Sequence, residues 1–202
     1  MISLDAVTQL HRDCIAQWHE QPIGSTHEGF LWIVREQLSY NFRLWHEEDK
    51  ARSPTASDAE IAQVKRAIDK LNQQRNDWIE KLDDWITEEL ARRGVSAPAA
   101  ASQNTETLGS TIDRLSILAL RIYHLAEQRD RSDATREHRE GVARKLVIAL
   151  AQHDDLSRSA QQLADDLFAG RKRHKTYLQL KMYNDPALNP YLYKAQELSA
   201  RR

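Results

Sequence analysis

The chain has little of what interrupts a helix and almost nothing that cross-links one. Six glycines and five prolines are spread over 202 residues, too few turn residues for a fold of many short strands. No segment alternates apolar and polar residues long enough to read as a strand. A single cysteine, Cys14, excludes an internal disulfide and a multi-cysteine zinc site. It shares a helical face with Leu10 and Trp18, so it reads as a small core residue in a reducing compartment. No apolar run approaches the roughly 18 residues of a membrane span. The amino terminus lacks the basic-then-apolar pattern of an export signal. A cytoplasmic protein without membrane insertion is therefore expected. Net charge is −1, so the overall field draws in neither nucleic acid nor an anionic membrane. There is no glycine-rich phosphate loop, and no Ser–His–Asp or Cys–His set can be argued from chain order.

What is present is helical periodicity. Charged residues make up 29% of the chain with both signs mixed, which suits the outer faces of a bundle. Leu4, Val7, Leu10, Cys14, Ile15 and Trp18 recur at helical spacing and predict a first helix over 3–20. Gln21 to Ser25 breaks it. A second helix is predicted from about Thr26 to Arg52. A third begins at Ser57, with Glu60 completing a capping box, and stops at Gly94. Residues 94–109 read as a flexible loop rich in Ala, Ser, Pro and Thr. A fourth helix is predicted from Ser110 to about Arg129, with Asp113 at the capping-box position. Its apolar residues point in nearly all directions, which places it centrally. A fifth is expected over about 132–152 and a sixth from Asp155 towards Tyr183, bent at Gly170. The tyrosines of an irregular tail, about 184–202, are expected to fold back on the bundle. The fold class is thus all-α: one domain over 1–202, a single helical bundle of five to seven helices. Two long antiparallel helices, the second and third, pack around a central buried helix, the fourth.

The inner faces carry polar residues where leucine would pack better. Asn41, Glu48 and Arg52 fall in the middle of the second helix's apolar face, and Gln37 lies near its edge. Arg75 interrupts the stripe of the third helix, flanked by Asn72 and Asn76. Asp113 and His124 share one side of the fourth helix, and Arg114 and Arg121 another. An unpaired buried charge is costly, so each such residue implies a partner. His11, His19, His27, His138 and His153 are read as surface residues.

Four ordered segments resemble one known family: Leu44-Trp-His-Glu-Glu-Asp-Lys-Ala-Arg52, Ile68-Asp-Lys-Leu-Asn-Gln-Gln-Arg-Asn-Asp77, Ser110-Thr-Ile-Asp-Arg-Leu-Ser-Ile-Leu-Ala-Leu-Arg-Ile-Tyr-His124 and Lys175-Thr-Tyr-Leu-Gln-Leu-Lys-Met-Tyr-Asn-Asp-Pro-Ala-Leu-Asn-Pro190. The chain is similar over most of its length to the bacterial domain of unknown function 4254. Leu108 stands where that family usually has proline. The resemblance implies a helical bacterial protein. The genomic company of its members implies a link to sugar transfer and cell-envelope glycans, but the resemblance supplies no catalytic residue.

Three readings of the polar interior stay open. In the first, hard oxygen ligands at Glu48, Asp49 and Asp69 hold magnesium or manganese, with His46, Asp113 and His124 joining Glu48 and Asp49 as catalytic groups. Glu47-Glu48-Asp49 followed by Glu80 and Asp83 loosely resembles the paired acidic motifs of all-helical nucleoside triphosphate pyrophosphatases. In the second, Arg52, Arg75, Arg114 and Arg121, with Lys175 and Lys181, converge on a small anionic molecule, a phosphorylated or sugar-nucleotide ligand. Asn41, Asn72 and Asn76 then read hydroxyls, and Trp45, Trp78 and Tyr123 supply stacking surfaces. In the third, Glu48–Arg75 and Asp113–Arg52 are structural bridges in a non-catalytic partner protein or homo-oligomer, for example a scaffold for a glycosyltransferase. Whether any reaction is catalysed stays open. Arg171-Lys-Arg-His-Lys175 reads as a solvated face, not a nucleic-acid stripe.

Overall fold

Five long helices bury the predicted stripes in the computed structural model, which describes residues 2–24, 29–178 and 185–194. They are α1 (Leu4–Glu20), α2 (Phe30–Lys50), α3 (Asp58–Arg92), α4 (Leu108–Asp130) and α5 (Arg136–Phe168). Two short strands, β1 (Ser102–Gln103) and β2 (Lys172–Arg173), pair in parallel. α2 packs most extensively on α3, and α4 on α5, while α1 leans on α4, α2 and α5. The first pair is antiparallel: Phe30 at the start of α2 meets Trp85 late in α3, and Tyr40 meets Trp78 further back.

α4 touches all four other helices. Its Leu108, Ile112 and Leu115 are fully buried against Leu82 and Ile86 of α3, Val34 of α2, Leu4 and Val7 of α1 and Leu163 and Ala164 of α5. A second cluster joins Cys14, Ile15 and Trp18 of α1 to Leu38 and Phe42 of α2 and Leu120 of α4. Each large apolar side chain so buried contributes about 1.5–3 kcal/mol. The apolar positions that recur at helical spacing therefore decide the architecture. Among the described residues, no helix is long and apolar enough to cross a membrane.

The ends of the elements differ from expectation in four places, each for a local reason. The two predicted carboxyl-terminal helices are one. Gln152-His-Asp-Asp155 contains no breaker, and Asp154 and Asp155 pair with Arg158 along the continuing helix. That helix ends at Phe168 and does not reach Tyr183. Gly170, at φ 68°, lets the Arg171 amide donate to Asp166 O at 2.8 Å and the Gly170 amide donate to Leu167 O at 3.0 Å. These two bonds form a Schellman stop. The stretch read as a solvated helical face is therefore partly strand. It pins the loop read as flexible: Lys172 Nζ donates to Asn104 Oδ1 at 2.7 Å, and Gln103 Nε2 donates to Tyr177 Oη at 2.9 Å.

α4 starts earlier than Ser110. Its cap is Thr107, whose hydroxyl accepts from the Ser110 amide at 3.1 Å. Leu108 is then the first helical residue, the position that favours proline because its N–H has no intrahelical acceptor. The next amide, of Gly109, donates to Asp83 Oδ1 of α3 at 2.9 Å. A Cβ on Gly109 would stand 2.7 Å from that oxygen and 2.9 Å from Ile79 O. Glycine here lets α3 and the start of α4 touch backbone to backbone. Burial pushes the Asp83 carboxyl above its ordinary range, against the hydrogen bonds from Thr107 and Gly109. In the tail, Tyr191 is 88% exposed and does not cover the bundle. Tyr183 lies outside the described residues.

Candidate functional site

The polar residues of three helices meet at Asp113. Its Oδ1 accepts from Gln37 Nε2 at 2.6 Å, from Asn41 Nδ2 at 2.8 Å and from Arg75 Nε at 2.7 Å. Its Oδ2 pairs with Arg75 Nη2. Asn41 also donates to Ser116 Oγ at 2.7 Å, and that hydroxyl donates to Asp113 O at 2.7 Å. Gln37, Asn41, Asp113 and Ser116 are all buried. The α-helical repeat explains the set. Residues 37 and 41 are four apart on α2, and 113 and 116 are three apart on α4, so each pair stacks on one face. The Asp113 carboxylate raises the Arg75 guanidinium further above its ordinary value, first through their hydrogen bonds, and so fixes its charge. Within the network Gln37 Oε1 alone is a buried acceptor with no partner.

These pairings correct the predicted bridges. Arg75 takes Asp113, and Arg52 turns back on Glu48 Oε2 at 2.6 Å along its own helix. The latter pair is exposed, at 69% for Arg52 and 44% for Glu48. Asp113, expected as a catalytic group, accepts three hydrogen bonds at Oδ1 and pairs with Arg75 at Oδ2, and so fixes Arg75.

Beside this network lies a cleft of about 410 Å³, lined by Asn41, Trp45, Glu48, Asp49, Arg52, Asn72 and Arg75 with apolar Leu44, Ile117 and Leu120. Three of its polar groups are uncommitted among the described residues: the Asn72 amide, Arg75 Nη1 and the Asp49 carboxylate, which forms no ion pair. Arg75 is 25% exposed, so its free end is reachable from solvent.

Other predicted site residues lie elsewhere. Arg114 and Arg121 do not join Arg75. One residue on from Asp113 is a 100° turn of the helix, so Arg114, with Arg121 seven residues later, faces a groove of about 570 Å³ between α4 and α5. There Arg114 donates to Glu106. Lys175 is exposed beside the Tyr177 ring, and Lys181 lies outside the described residues. The basic groups therefore do not converge. Asp69 is exposed and pairs with Lys65, and among the described residues it does not group with Glu48 and Asp49 at metal-ligand spacing. Asn76 is half-buried and does not line the cleft.

His46, Tyr123 and His124 belong to a separate cluster with His19 of α1. Tyr123 stacks on His19 at 4.2 Å between ring centroids, and so is not a platform in the cleft. Trp45 lines the cleft and also stacks on His124 at 4.8 Å, which sets the two regions side by side. Burial, then the neighbouring His19 and His124, pushes the His46 imidazole below its ordinary value and keeps it neutral. His19 is half-buried, and His11 is fully buried. Neither is the surface residue predicted, nor is the half-buried His153; His138 is exposed, and His27 lies outside the described residues. His11 was detectable. Residues 4, 7, 11, 14 and 18 repeat at spacings of three and four, so His11 sits on the apolar stripe of α1. Nothing in the spacing marked His19, Ser116 or the partner of Gln37.

The family model for a protein of unknown function, DUF4254, matches residues 32–176. No curated protein and no solved structure matches the chain. The matched stretch contains every residue that lines the cleft, and it contains His46 and His124 but not His19.

Proposed function

The chain belongs to the DUF4254 family, and from that premise we propose that it binds the glycosyl part of a sugar or sugar-nucleotide ligand in the cleft beside Asp113. The observation that carries this reading is the set of unspent groups there. A guanidinium nitrogen, a carboxamide and a carboxylate stand next to an indole in a space of about 410 Å³, within the usual range for small-molecule sites. The charges lining it nearly cancel. Asp113 neutralises Arg75, Glu48 neutralises Arg52, and Asp49 is left over. A bare phosphate dianion finds no net positive field in such a place. A hydroxyl-rich group finds donors and acceptors at once, with an aromatic surface for its C–H face. Asp113 holds Arg75 bidentately, so little side-chain freedom is lost on binding.

The reading is tested by thermal-shift and heteronuclear NMR titration with free sugars, sugar phosphates and nucleotide sugars. Saturable stabilisation by glycosyl compounds is expected, with perturbed resonances at Trp45 and Asn72. Asn72→Ala should remove it without unfolding the chain. Stabilisation by inorganic phosphate alone, or none by any sugar, overturns the reading.

One observation favours a second reading, a protein partner. Val147, Ile148 and Leu150 are exposed on neighbouring positions of α5, with Val147 at 67%. Exposed apolar patches mark interaction surfaces. Light scattering of the chain and of Val147→Lys would show whether that patch joins two copies.

A further inference from the structure

We propose that His19, His46 and His124 form a binding site for a divalent transition-metal ion of the zinc class, tying the carboxyl-terminal half of α4 to the ends of α1 and α2. One ligand nitrogen from each ring lies within 4.8 Å of the others. The rings stand nearly perpendicular in pairs, with interplanar angles of 72°, 74° and 85°. Tyr123 stacks on the face of His19 and Trp45 on that of His124, while Phe42 meets His46 in a T-shaped contact. The histidine edges are left to meet at a shared centre.

The hydrogen bonds fix what those edges present. His19 Nδ1 is 2.7 Å from Ile15 O. A carbonyl oxygen can only accept, so Nδ1 carries the proton and the neutral ring offers a lone pair at Nε2. His124 Nδ1 is 3.2 Å from Glu127 Oε2. An ionised carboxylate likewise only accepts, so His124 also offers Nε2 as a lone pair. Both Nε2 atoms are buried and neither has a hydrogen-bond partner. Ring stacking accounts for the faces of these residues but leaves two buried lone pairs without a donor. A Lewis acid between the rings satisfies both.

For His19 and His124 the arrangement matches what metal-bound histidines need: the far nitrogen bonded to a carbonyl or carboxylate, which fixes the tautomer and the ring direction. The chemistry selects the ion. Imidazole suits zinc, cobalt, nickel and copper, whereas magnesium and manganese prefer oxygen. Three protein ligands leave a further position for water or a ligand atom, and all three histidines are half-buried.

The test uses the full chain without a histidine tag, stripped with chelator and titrated with Zn²⁺ or Co²⁺ alone. About one equivalent of metal should bind, with visible ligand-field absorption from Co²⁺ and a higher melting temperature. His124→Ala and His46→Ala should abolish uptake, and the exposed His138→Ala should not. Glu127→Gln, which keeps the ligands but weakens the orienting bond, should lower affinity about tenfold. If an alanine variant fails to fold by circular dichroism, the wild-type spectrum and Glu127→Gln decide. Absence of wild-type uptake overturns the proposal, as does unchanged binding in folded His124→Ala. Sugar titration of the stripped chain separates this site from the cleft, since either can fail alone.

Discussion

Two polar clusters share the interior of this bundle, joined by Trp45, and they end their hydrogen bonding differently. Around Asp113, a carboxylate, two amides, a hydroxyl and a guanidinium satisfy one another across α2, α3 and α4. Around His19, His46 and His124, the second nitrogens are oriented by carbonyl and carboxylate, and two buried lone pairs face inward with no donor. In the first cluster only Gln37 Oε1 lacks a partner, and the cluster acts by presenting Arg75 to the cleft. The second is incomplete as protein alone. Buried polar groups are nearly always partnered, so the contrast separates a positioning network from a binding centre even though both are polar islands in an apolar core.

The comparison can be broken most forcefully at Asp113. Asp113→Ala leaves the Arg75 guanidinium and the Gln37 amide without an acceptor and Asn41 with Ser116 alone, and should cost about 3–5 kcal/mol. The lower end is expected because Arg75 is partly exposed; urea unfolding measures it. A loss below about 1 kcal/mol would mean that the network is not a unit.

His11 gives an internal reference, a buried imidazole that belongs to neither cluster. Burial, then His153 and Arg12, lowers its folded value from 6.5 to about 3. Between those values the unfolded chain binds the proton and the folded chain does not. Stability is therefore lost as pH falls below about 6.5, and the loss continues down to about 3. Relative to His11→Leu, the protein should lose about 2 kcal/mol between pH 7 and pH 5, read from denaturation midpoints at each pH. Parallel curves for the two proteins would contradict the burial of a neutral ring.

Next in size is a change in the open cluster. In metal-free protein, His124→Leu removes a lone pair that has no donor, so it should be neutral or stabilising, within about 1 kcal/mol. A cost comparable to that of Asp113→Ala would show that the histidines already satisfy one another. The smallest effect is expected at Glu48→Gln, on the rim. An exposed pair along one helix contributes about 0.3–0.5 kcal/mol, and 0.5 M salt should erase the difference.

How much of this was legible in the chain differs by residue. Asn41, Arg75 and Asp113 stood out because each breaks an apolar helical stripe, and a stripe is a local property. The pairing of Arg75 with Asp113 and not Glu48 was not legible. It depends on the rotation of α3 against α4, which the contact of Gly109 with Asp83 and Ile79 fixes. Arg114 and Arg121 share a helix with Asp113 but face α5, so their number gave no warning that the basic groups would not converge. His19 lies on the flank of α1 and gains its meaning only from α2 and α4.

The sequence by itself determined the helices, their buried faces and the polar residues set within them, because periodicity and capping act within a few residues along the chain. Tertiary structure alone decided which polar groups are spent on each other and which remain free. Partners such as Gln37 and Asp113, or His19 and His124, lie 76 and 105 positions apart. Their meeting depends on how whole helices are rotated and stacked, and the packing of many apolar side chains sets that at once.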